Sequence, residues 1–151
     1  MKLTKLKANQ GFTLIEMLVV VAVIGILSSV LLNALGPAKQ KAKDSRIQQE
    51  LGQVRSLAET FYDGDYDALE TIPKTDILNQ NLRALSLDIA LQGGELVIRK
   101  ATPALNYIAY SRLNLTIGTS ENPQTAYYCL DSTGNSGITT VDLSGRTSCP
   151  L

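Results

Sequence analysis

Few side chains in this sequence are suited to covalent or acid–base chemistry. The chain contains no histidine, so it lacks the commonest general base, the usual partner of a nucleophile and the commonest metal ligand. A Ser-His-Asp site and most zinc sites are thereby excluded. Tryptophan is absent and only 5% of residues are aromatic, so a base-stacking platform for nucleic acid is also poorly supported. We predict that the chain is not an enzyme and holds no cofactor.

The one acidic cluster that suggests a metal consists of Asp63, Asp65 and Asp67, which stand at alternate positions. The EF-hand pattern fails here, because its sixth position is not glycine and Lys74 stands where its bidentate acid should be. A solvated acidic loop is therefore the preferred interpretation, with a calcium site as the alternative.

The charged residues are distributed unevenly, although 14 basic and 14 acidic side chains sum to zero. Residues 1–11 hold three lysines and no acid, a charge of +3, while the other 140 residues hold 11 basic and 14 acidic groups, about −3. Residues 12–35 are an apolar run whose sole ionisable side chain is Glu16. As a helix this run would rise about 36 Å, enough to cross a hydrocarbon core of about 30 Å. The lysines before it predict a cytoplasmic amino terminus and an exported body.

Two other interpretations of the apolar run are a buried helix of a soluble protein and a cleaved secretory signal peptide. The run is long for the core of a domain this small, and the helical pattern continues past the small residues at 33–36 where signal peptidase would cut. The residues around Gly11, KANQGFTLIE, indicate a cut before the run instead. This segment closely resembles the processing site of type IV prepilins and the related pseudopilins.

The resemblance implies that residues 1–11 are a leader, removed after Gly11 by a prepilin peptidase that also N-methylates the new terminal residue, Phe12. The family's fifth residue after the cut is a glutamate, which is Glu16 here. The short leader and the phenylalanine after it are more similar to the type IVa class than to the long-leader type IVb class. The implied fold is α+β, with a long N-terminal helix packed on a four-stranded antiparallel sheet.

Glu16 needs compensation, because a carboxylate inside a membrane costs about 2.5 to 3.5 kcal/mol. Cleavage would create an α-amino group on Phe12 that is mostly cationic at neutral pH. This group can pair with Glu16 of its own helix or of an adjacent subunit, and assembly in the family implies the second pairing. An incidental polar residue near the membrane interface is the alternative.

The helical pattern continues after the apolar run, since residues 38–62 are amphipathic. The apolar positions step by four and three residues, at Ile47, Leu51, Val54, Ala58 and Phe61. The opposite face is predicted to be solvated and carries Lys39, Lys41, Lys43, Arg46, Arg55 and Glu59. Residues 12–62 would form one helix of about 77 Å, with a membrane half at 12–35 and an amphipathic half at 36–62.

A kink or a locally melted stretch is predicted within this helix. Pro37 has no amide proton and its ring opposes the carbonyl group of Asn33. Gly25 and Gly36 are the other positions at which the helix is expected to yield.

Residues 63–151 are predicted to form a globular head. A short helix is expected at 75–91, with Thr75 or Asp76 as N-cap and two glycines after its end. Four runs rich in β-branched and aromatic residues predict antiparallel strands at 95–101, 106–113, 125–131 and 138–143. Gly118 to Pro123 is taken as a separator between two of them.

Cys129 and Cys149 lie in the part that the charge pattern places outside the cytoplasm, where an oxidised pair is expected. Such a bond would close a loop of about 21 residues and contribute roughly 3 kcal/mol. Many type IV pilins have a similar disulfide loop at the carboxyl end. Free thiols in a metal or redox site are the alternative.

Two surface features allow more than one interpretation. Asn114 begins a glycosylation sequon, a triplet that often arises by chance. Four tyrosines are expected to pack half-buried on strands, with exposed adhesive groups as the alternative; they are Tyr107, Tyr110, Tyr127 and Tyr128.

The resemblance implies a filament subunit, inserted in the inner membrane as a precursor and then polymerised at the cell surface for adhesion, twitching motility or DNA uptake. The implied partners are copies of this chain, the prepilin peptidase, an inner-membrane assembly platform and a motor ATPase. The alternatives are a pseudopilin of a type II secretion or competence system and a membrane-tethered ectodomain. Nucleic acid is an unsupported partner, since Arg99, Lys100 and Arg112 are a weak footprint on an acidic body.

Overall fold

A computed structural model describes residues 12–69 and 77–150, and only the backbone at 77–79. In chain order the described elements are α1 (Leu14–Thr60), α2 (Ile77–Leu91), β1 (Val97–Lys100), β2 (Tyr107–Thr119), β3 (Asn122–Asp131) and β4 (Ser136–Thr139). The chain divides into two compact units, the first ending at Ala38 and the second beginning at Lys39. The predicted α+β class, with a long helix and four antiparallel strands, is confirmed.

The first unit contains the apolar part of α1, and every residue from 12 to 42 is exposed. An 18-residue window of α1 has a mean hydropathy of 2.7 with none of it buried, so one helix in the described part of the chain is long and apolar enough to cross a membrane. The helix continues without interruption through Gly25, Gly36 and Pro37, so this structure has no melted stretch there, while the predicted kink stays a prediction. Proline removes only one hydrogen bond of the helical ladder, and the leucines and alanines around it favour a helix.

The second unit is built on a sheet with the strand order β1-β2-β3-β4, each pair antiparallel. Successive side chains of a strand point to opposite faces. Tyr107, Ala109 and Leu113 of β2 accordingly join the main core, while Ile108 and Tyr110 join a smaller cluster on the other face.

The main core lies where α1 and α2 meet the sheet. The predicted positions Ile47, Leu51, Val54 and Ala58 of α1 are all buried. Phe61 was predicted to join them, but the helix ends at Thr60 and Phe61 is 39% exposed. Tyr66 and Leu69 in the following loop are buried in the core instead.

The smaller cluster covers the other face of the sheet with the carboxyl-terminal segment. Cys129, Leu143 and Cys149 are buried there beside Ile108 and Tyr110. Leu143 was predicted to end the last strand, but β4 ends at Thr139 and Leu143 reaches the sheet from the coil that follows.

The central hairpin, β2 with β3, is longer than predicted. Its register runs as far as Gly118 opposite Pro123 and Thr119 opposite Asn122, so the expected separator at 118–123 is part of the hairpin. Pro123 is tolerated because β4 pairs only with Tyr127 to Leu130 and leaves this part of β3 as an edge.

A β-bulge between Arg112 and Thr116 interrupts the hairpin, and a buried carboxylate of α1 accepts the amides that the bulge releases. Asp44 Oδ1 accepts the backbone N–H of Asn114 at 2.6 Å, and Oδ2 accepts that of Leu115 at 2.8 Å. Oδ1 also accepts the side-chain amide of Asn114 at 2.8 Å. These charge-assisted bonds fix the position of α1 along β2.

Helix α2 ends in a Schellman motif that brings it to the same bulge. Gly94 N–H bonds to the Ile89 carbonyl and Gly93 N–H to the Ala90 carbonyl, both at 3.0 Å, with Gly93 at a φ of 92°. The Asn114 side chain donates to the Gln92 carbonyl at 2.9 Å. The predicted stop at the two glycines is confirmed, whereas Thr75 and Asp76 lie outside the described residues.

Two α1 side chains predicted to be solvated make long-range contacts instead. Arg46 Nε lies 2.9 Å from Glu50 Oε1 and 2.9 Å from Asp88 Oδ2, joining α1 to α2. Burial raises the pKa of Glu50, and the hydrogen bond from Arg46 lowers the pKa of Asp88. Arg55 is half-buried and reaches the turn between β3 and β4.

Replacing the buried carboxylate should destabilise the head. Asp44→Asn removes the charge and one acceptor, leaving a bulge amide unpaired, so we expect the free energy of unfolding to fall by about 2 kcal/mol. Chemical unfolding followed by the near-UV circular dichroism of the tyrosines measures it. The matched control is Ser45→Ala at the exposed neighbour, with an expected change within about 0.5 kcal/mol. Equal effects of the two substitutions would contradict the role given to Asp44.

Candidate processing and assembly site

The start of α1 is organised by a reciprocal pair of side chains, Thr13 and Glu16. Glu16 Oε2 accepts the Thr13 backbone N–H and the Thr13 hydroxyl, each at 2.8 Å. The Thr13 hydroxyl oxygen in turn accepts the Glu16 N–H at 3.3 Å. This arrangement is a capping box, in which Thr13 is the N-cap and Glu16 the third helical residue. The carboxylate of Glu16 is therefore bound at the start of the helix to which it belongs.

The capping box occupies only one oxygen of Glu16. Within the described part of the chain, Oε1 has no hydrogen-bond donor. A carboxylate at the positive end of a helix dipole is stabilised in its charged form, so Oε1 can accept a cationic donor from outside this chain.

The remaining predicted processing and helix residues have the following positions. Gly11 lies outside the described residues. Phe12 precedes the helix and is 82% exposed. Gly25 has nothing within 4 Å of the position that a Cβ would occupy, and Ser29, one turn later, donates its hydroxyl to the Ile26 carbonyl at 2.8 Å. The surface at Gly25 is thus open to a close neighbour.

The second group of predicted site residues is at the carboxyl end, where Cys129 of β3 and Cys149 are joined by a disulfide with their Cα atoms 6.0 Å apart. Asp131, buried two residues after Cys129, binds the same segment, because its Oδ2 accepts the Cys149 N–H at 2.9 Å. The carboxyl-terminal segment is therefore attached to β3 by a covalent bond and by a buried carboxylate.

Asp131 also organises the turn between β3 and β4. Its Oδ1 accepts from the Thr133 N–H at 3.0 Å, the Thr133 hydroxyl at 2.7 Å and the Asn135 N–H at 3.1 Å. Burial alone would raise the pKa of Asp131, but the hydrogen bonds from Thr133, the Cys149 amide and Asn135 outweigh it, and the pKa lies below its ordinary value. Arg55 of α1 donates to the carbonyls of Asp131 and Asn135 at 3.1 and 2.7 Å, so the helix holds the same turn.

The weak metal candidates make local contacts. Asp65 Oδ1 accepts the Asp67 N–H at 2.8 Å, and Lys100 Nζ lies 3.2 Å from Asp67 Oδ1. Over residues 12–69 and 77–150, no three acidic, histidine or cysteine side chains gather closely enough to hold a metal ion.

Two predicted surface features are also resolved by their contacts. The Asn114 amide nitrogen, which a glycan would need, is half-buried and donates to Asp44 and Gln92. The tyrosines are packing groups as expected, since Tyr107 and Tyr110 are buried and Tyr127 and Tyr128 half-buried.

Comparison with known proteins identifies the family. Residues 6–32 match the prokaryotic N-terminal methylation motif. The chain is 32% identical over 118 residues to fimbrial protein EcpB of Eikenella corrodens, an alignment that covers 77% of this chain and 73% of that protein. This chain belongs to the type IV pilin family.

The similarity of the pilin to other relatives is concentrated in a shorter part. It is 41% identical over 52 residues to the type IV major fimbrial protein FimA of Dichelobacter nodosus, covering 34% of this chain and 33% of FimA. No solved structure gives a significant match. The pilin is a structural subunit and not an enzyme, in agreement with the prediction from its sequence.

Sequence reasoning missed four residues of these sites: Thr13, Asp44, Arg55 and Asp131. The signal for Thr13 is visible in the sequence, because Thr-Leu-Ile-Glu before an apolar run is the capping-box pattern. The other three contact residues 70 or more positions away, or a turn and tail whose positions depend on the folded sheet. No local pattern reveals those contacts.

Acid should weaken the attachment of the carboxyl-terminal segment through Asp131. A lowered pKa contributes stability above the unfolded value of about 3.9 and loses it as the pH falls through the folded value. We expect Asp131→Asn to lower the unfolding free energy at pH 7 by about 1 to 3 kcal/mol and to reduce its fall between pH 5 and pH 2. Urea unfolding across this range measures both effects.

Asp142 is the matched control for this substitution. Its carboxylate is exposed and, among the described residues, accepts hydrogen bonds from Ser144 in its own loop, so Asp142→Asn should change stability at pH 7 by less than about 0.5 kcal/mol. If stability fell equally steeply with acid in the unaltered chain and in Asp131→Asn, the role of Asp131 in holding the carboxyl-terminal segment would be contradicted.

Proposed function

We propose that this pilin is made as a membrane-anchored precursor, cut after Gly11, N-methylated on Phe12 and polymerised into a surface filament through Phe12 and Glu16. The observation that carries the proposal is the carboxylate of Glu16, the fifth residue after the proposed cut, which uses one oxygen in the capping box and leaves the other without a donor among the described residues. The motif match over residues 6–32 supports the processing step, and the fimbrial relatives support the filament.

Glu16 supports a contact between subunits because its two oxygens are used differently. Oε2 is bound by Thr13 of the same chain, which offsets part of the cost of an acid in lipid. Oε1 remains for the α-amino group that cleavage creates on Phe12 of a neighbouring copy. A pair of opposite charges in a medium of low polarity is strong, and it would set the axial position of one subunit against the next.

The exposed apolar surface of residues 12–35 supports the filament core. Transfer of this helix from lipid to a bundle of similar helices keeps its surface dry, so hydrophobicity alone provides little net driving force. Gly25 allows close approach there. The energy for extraction would come from a motor ATPase, acting with an inner-membrane assembly platform.

The orientation of the precursor is proposed from the charge pattern and from the disulfide of the head. Three lysines precede the apolar run, and three more, Lys39, Lys41 and Lys43, follow it closely. The charge rule therefore gives only a weak bias. In the proposed topology the amino terminus lies in the cytoplasm and the head lies outside, where an oxidised cysteine pair is expected.

The alternative of a secretion pseudopilin shares the same processing site. The named relatives are fimbrial proteins, which favours the pilus. Adhesion, twitching motility and DNA uptake are the functions that such a filament would serve.

Substitutions at Glu16 and Thr13 separate the charge from the helix cap. Glu16→Ala and Glu16→Gln should both insert and be cleaved yet form no filaments, because neither offers a charge to the neighbouring amino group. Glutamine still completes a capping box, so its failure would isolate the charge. Electron microscopy of surface filaments, with immunoblots for leader removal, measures both steps.

Thr13→Val is the matched control, since it removes the hydroxyl and retains the carboxylate. We expect it to form filaments, with a helix start weakened by about 1 kcal/mol. Filaments of Glu16→Gln in wild-type number would contradict the charge pairing.

The processed terminus provides a separate test. Subunits purified from sheared filaments should begin at Phe12 and carry one N-methyl group, as intact-mass and amino-terminal peptide analysis would show. Filament subunits that retain residues 1–11 would contradict the proposed cut.

A further inference from the structure

Three lysines follow the apolar run on α1 and have no partner among the residues that the structure describes. Lys39 comes four residues after Leu35, and Lys41 and Lys43 follow at alternate positions, with no acid between residues 17 and 43. Lys39 and Lys41 are exposed and Lys43 is half-buried. None of the three makes an ion pair or a hydrogen bond with any residue that the structure describes. By contrast, Arg46, Arg55 and Lys100 are all bound.

The directions in which the three lysines project from α1 indicate the shape of the surface that they could bind. A helix turns about 100° and rises about 1.5 Å per residue, so Lys39 and Lys43 project on one side of α1, Lys41 projects on nearly the opposite side, and all three lie within about 6 Å along its axis. A partner beside the helix would meet Lys39 and Lys43, which are four residues apart, but would leave Lys41 unused. A thin layer of charge on both sides of one helix instead matches a planar surface that the helix crosses.

We propose that Lys39, Lys41 and Lys43 form a lysine collar that binds the phosphate groups of anionic lipids where α1 leaves the bilayer. The proposal rests on the membrane anchoring of the precursor proposed above. Lysine stems lie along apolar surface while their ammonium groups reach the headgroups. Each lysine near an anionic surface strengthens binding about fivefold, and the effect falls off within a Debye length.

The collar would set the depth of the helix before assembly. Residues 12–35 span the hydrocarbon, and the collar holds the following turn at the headgroup layer. A subunit that enters a filament must leave these phosphates, so the collar retains subunits in the membrane until assembly extracts them.

The full chain with Leu35→Trp supplies the reporter, because the protein has no tryptophan of its own. It is reconstituted in phosphatidylcholine vesicles containing a minor fraction of brominated phosphatidylcholine or brominated phosphatidylglycerol. Bromine quenches tryptophan only at short range, so the ratio of the two quenching efficiencies measures how far the anionic lipid is enriched beside residue 35.

We expect phosphatidylglycerol to be enriched about fivefold or more at low salt and the enrichment to disappear at high salt. The variant K39Q/K41Q/K43Q should show no enrichment. The matched control, R83Q/R99Q/R146Q, removes the same charge from exposed positions of the head and should retain it.

Equal enrichment with and without the three lysines would overturn the collar, as would its absence in the unaltered chain at low salt. The second result is also the one expected if the lysines bind acids of a second copy. Quenching by brominated phosphatidylcholine in every variant would show that the span is inserted. A missing enrichment of phosphatidylglycerol would then contradict the collar and not the membrane anchor. No quenching by either lipid would reject the membrane anchor and the collar together.

Discussion

The head depends on one buried carboxylate, because the long hairpin cannot follow a regular ladder along its whole length. At the bulge in β2, two backbone amides turn away from β3, and Asp44 of α1 accepts both. The same carboxylate binds the Asn114 side chain, which also binds the end of α2. This acid therefore links the bulge, the long helix and the short helix, and Arg46 joins the two helices a second time through Asp88.

Two acids of α1 thus accept amides that regular secondary structure leaves without a partner, but they differ in what remains unbound. Asp44 accepts three hydrogen bonds with both oxygens engaged, as expected of a group that only stabilises a fold. Glu16 engages Oε2 alone in its capping box. Within the described part of the chain, both oxygens of Asp44 are therefore engaged, whereas Glu16 has one oxygen without a hydrogen-bond donor.

Periodicity predicted the buried face of the long helix, and residue type predicted the strands. The spacing of Ile47, Leu51, Val54 and Ala58 indicated the buried side of α1, and runs rich in β-branched and aromatic residues indicated the strands of the sheet. Arg55 was predicted to be solvated, and the sequence gives no sign of the role of Asp131. Their partners are distant in the sequence and are brought close only by the folded sheet. A melted stretch at Pro37 and a separator at 118–123 were wrong, because proline and glycine have local preferences that a helix or an edge strand can accommodate.

The attachment of the carboxyl end has a consequence for how this protein can change over generations. The residues between β4 and Cys149 are exposed except for Leu143, and their course is fixed at Cys149 by the disulfide and by Asp131. Exposed segments without regular structure tolerate substitution and insertion when the structure at their ends is held. Mutation can therefore alter this exposed segment almost freely, while the helix and the sheet behind it remain the same.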